Sequence, residues 1–546
     1  MDTIRSYRLN YIGIIFGFIG FFLALTPSLV PRPAEFVGLV GGLGFALFYA
    51  FGCIVSATLR RFLKPSEPNL AAKRRAWRIL FVGAPVYIVA MCCLSGYWQN
   101  NQLRLLDQEP IEGLGVATIV VISVAVFLLL HLLSRLIVKL YRFTYKHIQK
   151  IPLPLPYIGG LLAAIVMVVV IFEVSTGVLR VTAVESIRGI HSYRNSRIEP
   201  GYDKPTSPLR SGSDMSESAW ELLGIQGRRF VAEGPSDEDI SSFVGGSAKE
   251  PIRVYAGLES ADSQRERIDI VLDELERTGA FERDVLMVTT PTGTGWLESE
   301  TLAAFEYMHG GDTAIASMQY SYLPSAYSFI LDRGEATSAG ASLFSAIERK
   351  INSIPDDKHK PKLVVYGLSL GSFGAQAAFS DEQDMANRVS GALFVGTPGF
   401  SEPWRTITRN RDAGSPQIKP VYNQERVIKF ATQSNEIPYE EEAQYKVVYY
   451  QYATDPFVWW DGSLLYRKPD WLREDPGRAV MPTLRWTPLL TFVQVSIDQI
   501  FSLALNGDNG HDYSHDTAAA MAAATKPEGW SQELTEKLQE HINSEE

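Results

Sequence analysis

The stretch that most constrains the fold runs from residue 362 to residue 378 and reads KLVVYGLSLGSFGAQAA. Its apolar beginning is typical of a buried strand, and the small residues near its end are typical of a helix packed closely against a sheet. Between them lies the sequence GLSLG, from Gly367 to Gly371. A G-x-S-x-G sequence between a strand and a helix forms a sharp turn that holds its serine in a strained conformation. The stretch therefore predicts an α/β fold and makes Ser369 a candidate nucleophile.

Because a chain with 43 glycines readily contains G-x-S-x-G by chance, the surrounding elements must support the motif. Apolar runs predict strands at residues 252–258, 284–290, 312–320, 363–366, 392–395, 427–430 and 447–453. Helical periodicity predicts helices at residues 265–277, 299–309 and 338–351. Strands that alternate with helices of this length indicate a mostly parallel sheet with helices on both faces.

Charge divides the chain into two parts. The first 180 residues contain 17 Lys and Arg against 7 Asp and Glu, whereas the remainder contains 34 against 54. An acidic second part argues against nucleic-acid binding. All three cysteines, Cys53, Cys92 and Cys93, belong to the first part. The second part therefore contains neither a cysteine nucleophile nor a cysteine-based metal site.

Five apolar stretches of membrane-spanning length precede residue 181. They cover approximately residues 11–30, 36–58, 79–98, 115–133 and 157–179. We therefore predict a transmembrane helical domain over residues 1–180, a polar connector with one short helix over 181–250, and a catalytic domain over 251–546. A cleaved signal peptide is the alternative for the first stretch. The apolar stretch 489–505 is not assigned as a span, because Gln494, Asp498 and Gln499 interrupt it.

Basic residues give the expected orientation of these spans. Lys and Arg cluster before the first stretch, between the second and third, and after the fourth. Positively charged loops stay in the cytoplasm. The pattern predicts a multi-pass protein of the inner cell membrane, with a cytoplasmic N-terminus and a catalytic domain on the extracytoplasmic (periplasmic) side.

A serine nucleophile needs a base, and the base needs an orienting carboxylate; in α/β-hydrolases these follow in the order Ser, Asp or Glu, His. Asp455 comes directly after the last predicted strand and before a proline, and Asp461 and Asp470 are the alternatives. His511 follows in a glycine-rich loop, with His515 as the second choice. We predict that Ser369, His511 and Asp455 form a catalytic triad.

Two backbone N–H groups are expected to bind the oxyanion. One belongs to Leu370, the residue after the nucleophile. The other comes from the loop PTGTGW at residues 291–296, with Gly293 and Thr294 as candidates. The competing interpretation of this loop, a phosphate-binding P-loop, lacks the lysine that such a loop requires. No motif predicts a metal or a cofactor.

At this point the chain resembles a known family, the bacterial membrane-anchored α/β-hydrolases with a multi-span N-terminal domain and an extracytoplasmic catalytic domain. The resemblance rests on TGAF (278–281), PTGTGW (291–296), EYMHGGD (306–312), QYSYLPS (319–325), SLG (369–371), GSP (414–416), DPFVWW (455–460), PDWLRE (469–474) and GHDY (510–513). Two positions depart from the family pattern: Leu368 replaces an acidic residue before the serine, and Asp508-Asn509 replaces a Gly-His pair. The second departure favours His511 as the base.

Together the residues and the resemblance predict a serine esterase, lipase or acyltransferase that acts on a lipid or an acylated envelope component at the bilayer. Residues 400–425 are expected to form a lid. A catalytically silent hydrolase-fold scaffold and a peptidase are the alternatives. The acyl chain, the final acceptor and the oligomeric state stay open.

Overall fold

The computed structural model of the protein describes residues 9–63, 70–111, 113, 115–148, 189–324, 328, 333–505 and 507–545. The chain divides into two compact units. The first, here called the apolar unit, comprises Met1–Glu185, Gly462–Leu472 and Ala479–Phe501. The second, the sheet unit, comprises Ser186–Asp461, Arg473–Arg478 and Ser502–Glu546.

The helices and strands are numbered here in chain order. The α-helices are α1 (Tyr11–Ala24), α2 (Ala34–Leu63), α3 (Leu70–Leu105), α4 (Val116–Ile148), α5 (Gly224–Ala232), α6 (Asp237–Val244), α7 (Gln264–Arg277), α8 (Ser299–Met308), α9 (Arg333–Asn352), α10 (Leu370–Gln376), α11 (Glu382–Arg388), α12 (Glu402–Arg409), α13 (Pro456–Trp459), α14 (Leu490–Phe501), α15 (Ala518–Thr525) and α16 (Gln532–Glu545). The strands are β1 (Ile252–Ala256), β2 (Val285–Thr290), β3 (Thr313–Met318), β4 (Lys362–Leu368), β5 (Gly391–Val395), β6 (Ile428–Ala431) and β7 (Val447–Tyr450).

Three helices of the apolar unit, α2, α3 and α4, are long and apolar enough to cross a membrane. They correspond to the second, third and fourth predicted spans and are compatible with membrane insertion. The first predicted span is wrong in length: α1 has 14 residues and ends at Ala24, because a helix rarely continues through a proline such as Pro27. The fifth predicted span, at residues 157–179, lies outside the described residues.

Helix α14 also belongs to the apolar unit, although 12 residues are too few to span a bilayer. Its buried Asp498 accepts hydrogen bonds from the Ser28 hydroxyl and from the Leu29 N–H (3.0 Å). The same carboxylate lies 3.5 Å from Nε of the buried Arg32. The polar residue that interrupts this apolar run therefore attaches α14 to the segment between α1 and α2.

The sheet unit is built on a seven-stranded sheet in the order β1-β3-β2-β4-β5-β7-β6, and every described pairing is parallel. Nearly every strand residue is buried, as expected for a parallel sheet with helices on both faces. The predicted fold class is therefore confirmed: an α/β-hydrolase-type sheet domain preceded by a helical region. Each predicted strand overlaps an observed one. The order places β4 centrally, between β2 and β5.

The described part of the predicted connector, residues 189–250, contains more structure than one short helix. It forms α5, α6 and the 3-10 turn Trp220–Leu222. Its backbone pairs with β1, since Arg253 N–H donates to Leu209 O (3.2 Å) and Ser211 N–H donates to Arg253 O (3.0 Å). Trp220 and Phe230 are buried in the core of the sheet unit. These apolar side chains, dispersed among polar residues, attach the segment to the sheet.

Candidate active site

The turn between β4 and α10 holds Ser369 in a strained conformation. Its φ of 56° and ψ of −124° are rarely adopted by a residue with a side chain. The Ser369 N–H donates to the carbonyl oxygen of Val395 at the end of β5 (2.9 Å). The serine therefore lies at the carboxyl edge of the sheet, directly before the first residue of a helix.

The glycines on either side of Ser369 are required by close backbone contacts. A Cβ on Gly367 would lie 2.6 Å from the carbonyl carbon of Gly371. A Cβ on Gly371 would overlap the carbonyl oxygen of Thr290, the last residue of β2. A larger residue at Gly367 would push α10 away from β4, and one at Gly371 would push α10 away from the end of β2, as expected for this kind of turn.

Asp455 follows β7 and is the N-cap of the short helix α13. Its fully buried carboxylate accepts three hydrogen bonds. Oδ1 accepts from the N–H of Phe457 (2.8 Å). Oδ2 accepts from the hydroxyl of Tyr513 (2.8 Å) and from Nδ1 of His511 (2.7 Å). Three donors therefore fix both oxygens of this carboxylate.

His511 is buried, and two adjacent backbone N–H groups hold its loop in place. Its own N–H donates to Ser502 O (2.9 Å), and the N–H of Gly510 donates to Thr454 Oγ1 (2.9 Å). The Phe457 ring packs on the imidazole with centroids 4.2 Å apart. Because the carboxylate of Asp455 can only accept, Nδ1 carries the proton, which leaves a lone pair on Nε2. That nitrogen is buried and has no hydrogen-bond partner among the described residues, Ser369 included.

Gly396 lies between His511 and the turn that carries Ser369. It follows β5, and a Cβ built on it would lie 2.9 Å from Cε1 and 3.2 Å from Nδ1 of His511. The preceding residue, Val395, accepts the N–H of Ser369, and Gly396 N–H donates to Tyr450 O at the end of β7 (2.9 Å). The imidazole therefore lies over the end of β5, between the loops that carry the serine and the aspartate.

The candidate oxyanion donors lie at the same edge of the sheet. Leu370 is the first residue of α10, where an N–H has no partner within its helix. The 291–296 loop follows β2, which is the neighbour of β4 in the sheet. Within this loop Thr292 N–H donates to Trp296 O and Gly295 N–H donates to Thr292 O, both at 2.9 Å. In the described part of the chain, the N–H groups of Gly293 and Thr294 have no acceptor.

Comparison with known families adds to this geometry. The model of a family described as "Alpha/beta-hydrolase family" matches residues 252–538, more than half of the chain. The chain belongs to the alpha/beta-hydrolase family. A second model, described as the N-terminus of the alpha/beta-hydrolase family, matches residues 25–235. Neither a curated protein nor a solved structure matches the chain. The resemblance to membrane-anchored α/β-hydrolases is thus confirmed at the level of the family.

Within this alpha/beta-hydrolase, the structure distinguishes between the predicted acids and bases by contact. Among the three candidate acids, Asp455 accepts a hydrogen bond from the candidate base His511 through its carboxylate. Asp470 belongs to the apolar unit instead. His515 contributes its backbone carbonyl to a hydrogen bond from Asn543 (3.4 Å). The pair brought into contact is therefore Asp455 and His511.

Sequence reasoning gave no role to three residues that contact this pair in the alpha/beta-hydrolase. Tyr513 and Phe457 lie two residues after the histidine and the aspartate respectively, so proximity in the sequence was an available signal. Gly396 is separated from His511 by more than one hundred residues, and only its position after a strand marks it.

Proposed function

We propose that the protein is a membrane-anchored serine hydrolase that cleaves ester bonds through an acyl-enzyme. The observation that carries the proposal is the buried Asp455–His511 pair, which leaves Nε2 with a free lone pair at the sheet edge that carries the strained Ser369. A nucleophile, a base and an orienting carboxylate are the three parts that this chemistry requires.

The proposed reaction has two half-reactions. Ser369 Oγ attacks the ester carbonyl while Nε2 of His511 takes the hydroxyl proton, and Asp455 stabilises the imidazolium through Nδ1–H. The N–H of Leu370, with that of Gly293 or Thr294, binds the developing oxyanion. The alcohol leaves with the proton from His511. Water or a second alcohol, deprotonated by the same histidine, then attacks the acyl-enzyme and releases the acid or a new ester.

The apolar unit favours a substrate that is found at the bilayer. Three helices long enough to cross a membrane bring the chain to the lipid surface. We therefore propose a lipid or an acylated envelope component as the substrate, with the orientation predicted from the basic loops. Because the sheet unit contains no cysteine, a single cysteine introduced at the exposed Ser380 tests this orientation by labelling with an impermeant maleimide in intact cells. Labelling only after the membrane is opened would contradict it.

A fluorophosphonate probe tests the chemistry directly, because it forms a covalent bond only with an activated serine. We expect the full-length protein in detergent to be labelled and Ser369→Ala to lose the label. Ser380→Ala, a serine in the same unit with an exposed side chain, is the matched control and retains labelling. Absence of labelling in the unmodified protein would favour the silent scaffold.

The same preparation separates an esterase from a peptidase. We expect hydrolysis of p-nitrophenyl esters with little cleavage of peptide amides, and the opposite preference would replace the esterase with a peptidase. Lipid profiles of cells that carry the active protein or Ser369→Ala then identify the substrate, and a new acylated product in place of a free acid indicates an acyltransferase.

A further inference from the structure

The hydroxyl of Tyr513 shares an acceptor with the candidate base. It donates to Oδ2 of Asp455 (2.8 Å), the same oxygen that receives Nδ1–H of His511 (2.7 Å). The phenolic oxygen also accepts from the N–H of Tyr452 (3.0 Å). Because that N–H occupies one side of the oxygen, the phenolic hydrogen is directed to the carboxylate.

The tyrosine is held rigidly in this arrangement. Its ring is buried and stacks on Tyr452 with centroids 4.2 Å apart and planes 12° apart. The ring also meets His511 edge to face at 5.8 Å. Burial, followed by the neighbouring Asp455 charge, raises the pKa of Tyr513 well above its usual range. The hydroxyl therefore remains protonated, and a hydrogen-bond donor, at neutral pH.

Two donors on one carboxylate oxygen compete for its electron density. A hydrogen bond to the charged form of Asp455 stabilises that charge, so the carboxylate binds the proton of the imidazolium less strongly. We propose that Tyr513 is a positioning residue that shares Oδ2 of Asp455 with His511, so that removing its hydroxyl changes the pH dependence with which His511 activates Ser369. With Phe457 N–H on Oδ1, it also fixes the rotation of the carboxylate that presents Oδ2 to the imidazole. This inference rests on the proposed function.

The other charged groups around this pair have partners of their own. Asp508 lies 3.7 Å from Arg478, and Asp512 accepts from the backbone and hydroxyl of Ser514. Asp516 accepts from the hydroxyl of Tyr450. Among the described residues, the charged group in contact with Nδ1 of the imidazole is Asp455, and Tyr513 donates to the same carboxylate oxygen.

The test is the pH dependence of fluorophosphonate labelling for Tyr513→Phe in the full-length protein. The variant keeps the ring and removes the donor. We expect the acidic limb of the labelling rate to move up by about one pH unit, which lowers the rate about tenfold at a pH below the limb. Tyr450→Phe is the matched control: it also removes a buried hydroxyl from a carboxylate, but from Asp516, and we expect its limb to stay in place.

Labelling of Tyr513→Phe with an unchanged limb would overturn the inference and leave the serine hydrolase intact. No labelling of the unmodified protein would overturn the proposed function itself. If Tyr513→Phe does not fold, site-specific 3-fluorotyrosine at position 513 keeps the ring and the hydroxyl and donates more strongly. We then expect the limb to move to lower pH, and a limb that stays or rises overturns the inference.

Discussion

The replacement of Asp455 by Asn is the sharpest single test of the site. The amide has the shape of the carboxylate but has only one acceptor oxygen. Placed at the Oδ2 position, that oxygen still accepts from His511 and Tyr513, while its NH2 group faces the N–H of Phe457. The reverse placement leaves two donors facing an NH2 group. The first arrangement retains more hydrogen bonds, so the imidazole keeps its tautomer and the main loss is the negative charge.

That charge matters when His511 becomes an imidazolium in the transition state. With Nδ1 and Oδ2 2.7 Å apart, the two charge centres are roughly 4 Å apart, and a pair of unit charges at this separation interacts by about 4 kcal/mol at an effective dielectric constant of about 20. An increase of about 4 kcal/mol in the barrier corresponds to a rate about 1000-fold lower.

The assay measures kcat/KM for a p-nitrophenyl ester and the rate of fluorophosphonate labelling. We expect both to fall about 1000-fold in Asp455→Asn, with the apparent melting temperature recorded to confirm folding. Asp461→Asn is the matched control, since Asp461 is the nearest alternative acid in the sequence. Retention of activity within about threefold in Asp455→Asn, a change of less than 1 kcal/mol, would refute the reasoning. An equal loss in Asp461→Asn would also refute it.

Three further predictions concern the surroundings of the site and the stability of the units. Gly396→Ala inserts a Cβ 2.9 Å from Cε1 of the His511 imidazole, so labelling should slow at least tenfold, a loss of about 1.4 kcal/mol or more. Gly414→Ala, at φ +92° with nothing within 4 Å, should not change the labelling rate. Asp498→Ala leaves Arg32 buried without this carboxylate, so the free energy of unfolding should fall by about 3–5 kcal/mol and the apparent melting temperature in detergent should fall with it. The double variant with Arg32→Ala should lose less stability than the sum of the two single variants. Burial raises the pKa of Asp516 to about 6, so the stability that this carboxyl contributes is present below about pH 4 and is lost as the pH rises through 6. Between these pH values, the free energy of unfolding of Asp516→Asn should therefore fall by about 2–3 kcal/mol less than that of the unmodified protein. An equal fall in the two proteins would contradict this.

The fold class and the sharp turn at Ser369 were predictable because both depend on the types of residues that are neighbours in the sequence. A strand buried on both faces is a short apolar run, and a helix packed against it shows helical periodicity. The turn around Ser369 is equally local, since Gly367 and Gly371 lie within two residues of it. Such patterns need no knowledge of distant contacts, and each predicted strand was therefore found close to its predicted position.

The contact between the candidate carboxylate and the candidate base could be predicted from the sequence only to within three aspartates and two histidines. Asp455 and His511 are 56 residues apart, with α14 between them, and the order of the strands decides where each loop ends. β7, rather than β6, lies beside β5, and this places the loop after β7 next to Gly396. Nothing in the spacing along the chain distinguishes this order from the sequential one.

The sequence by itself determined the apolar and acidic parts of the chain, the alternation of strands and helices, and the serine at the turn, because all three depend on local composition and period. Only the tertiary structure decided which carboxylate accepts the hydrogen bond from His511, that Tyr513 donates to the same carboxylate oxygen, and that α14 packs with the apolar helices. The physical reason is common to all three: a buried polar group must find a partner, and that partner is chosen by packing between residues far apart in the chain.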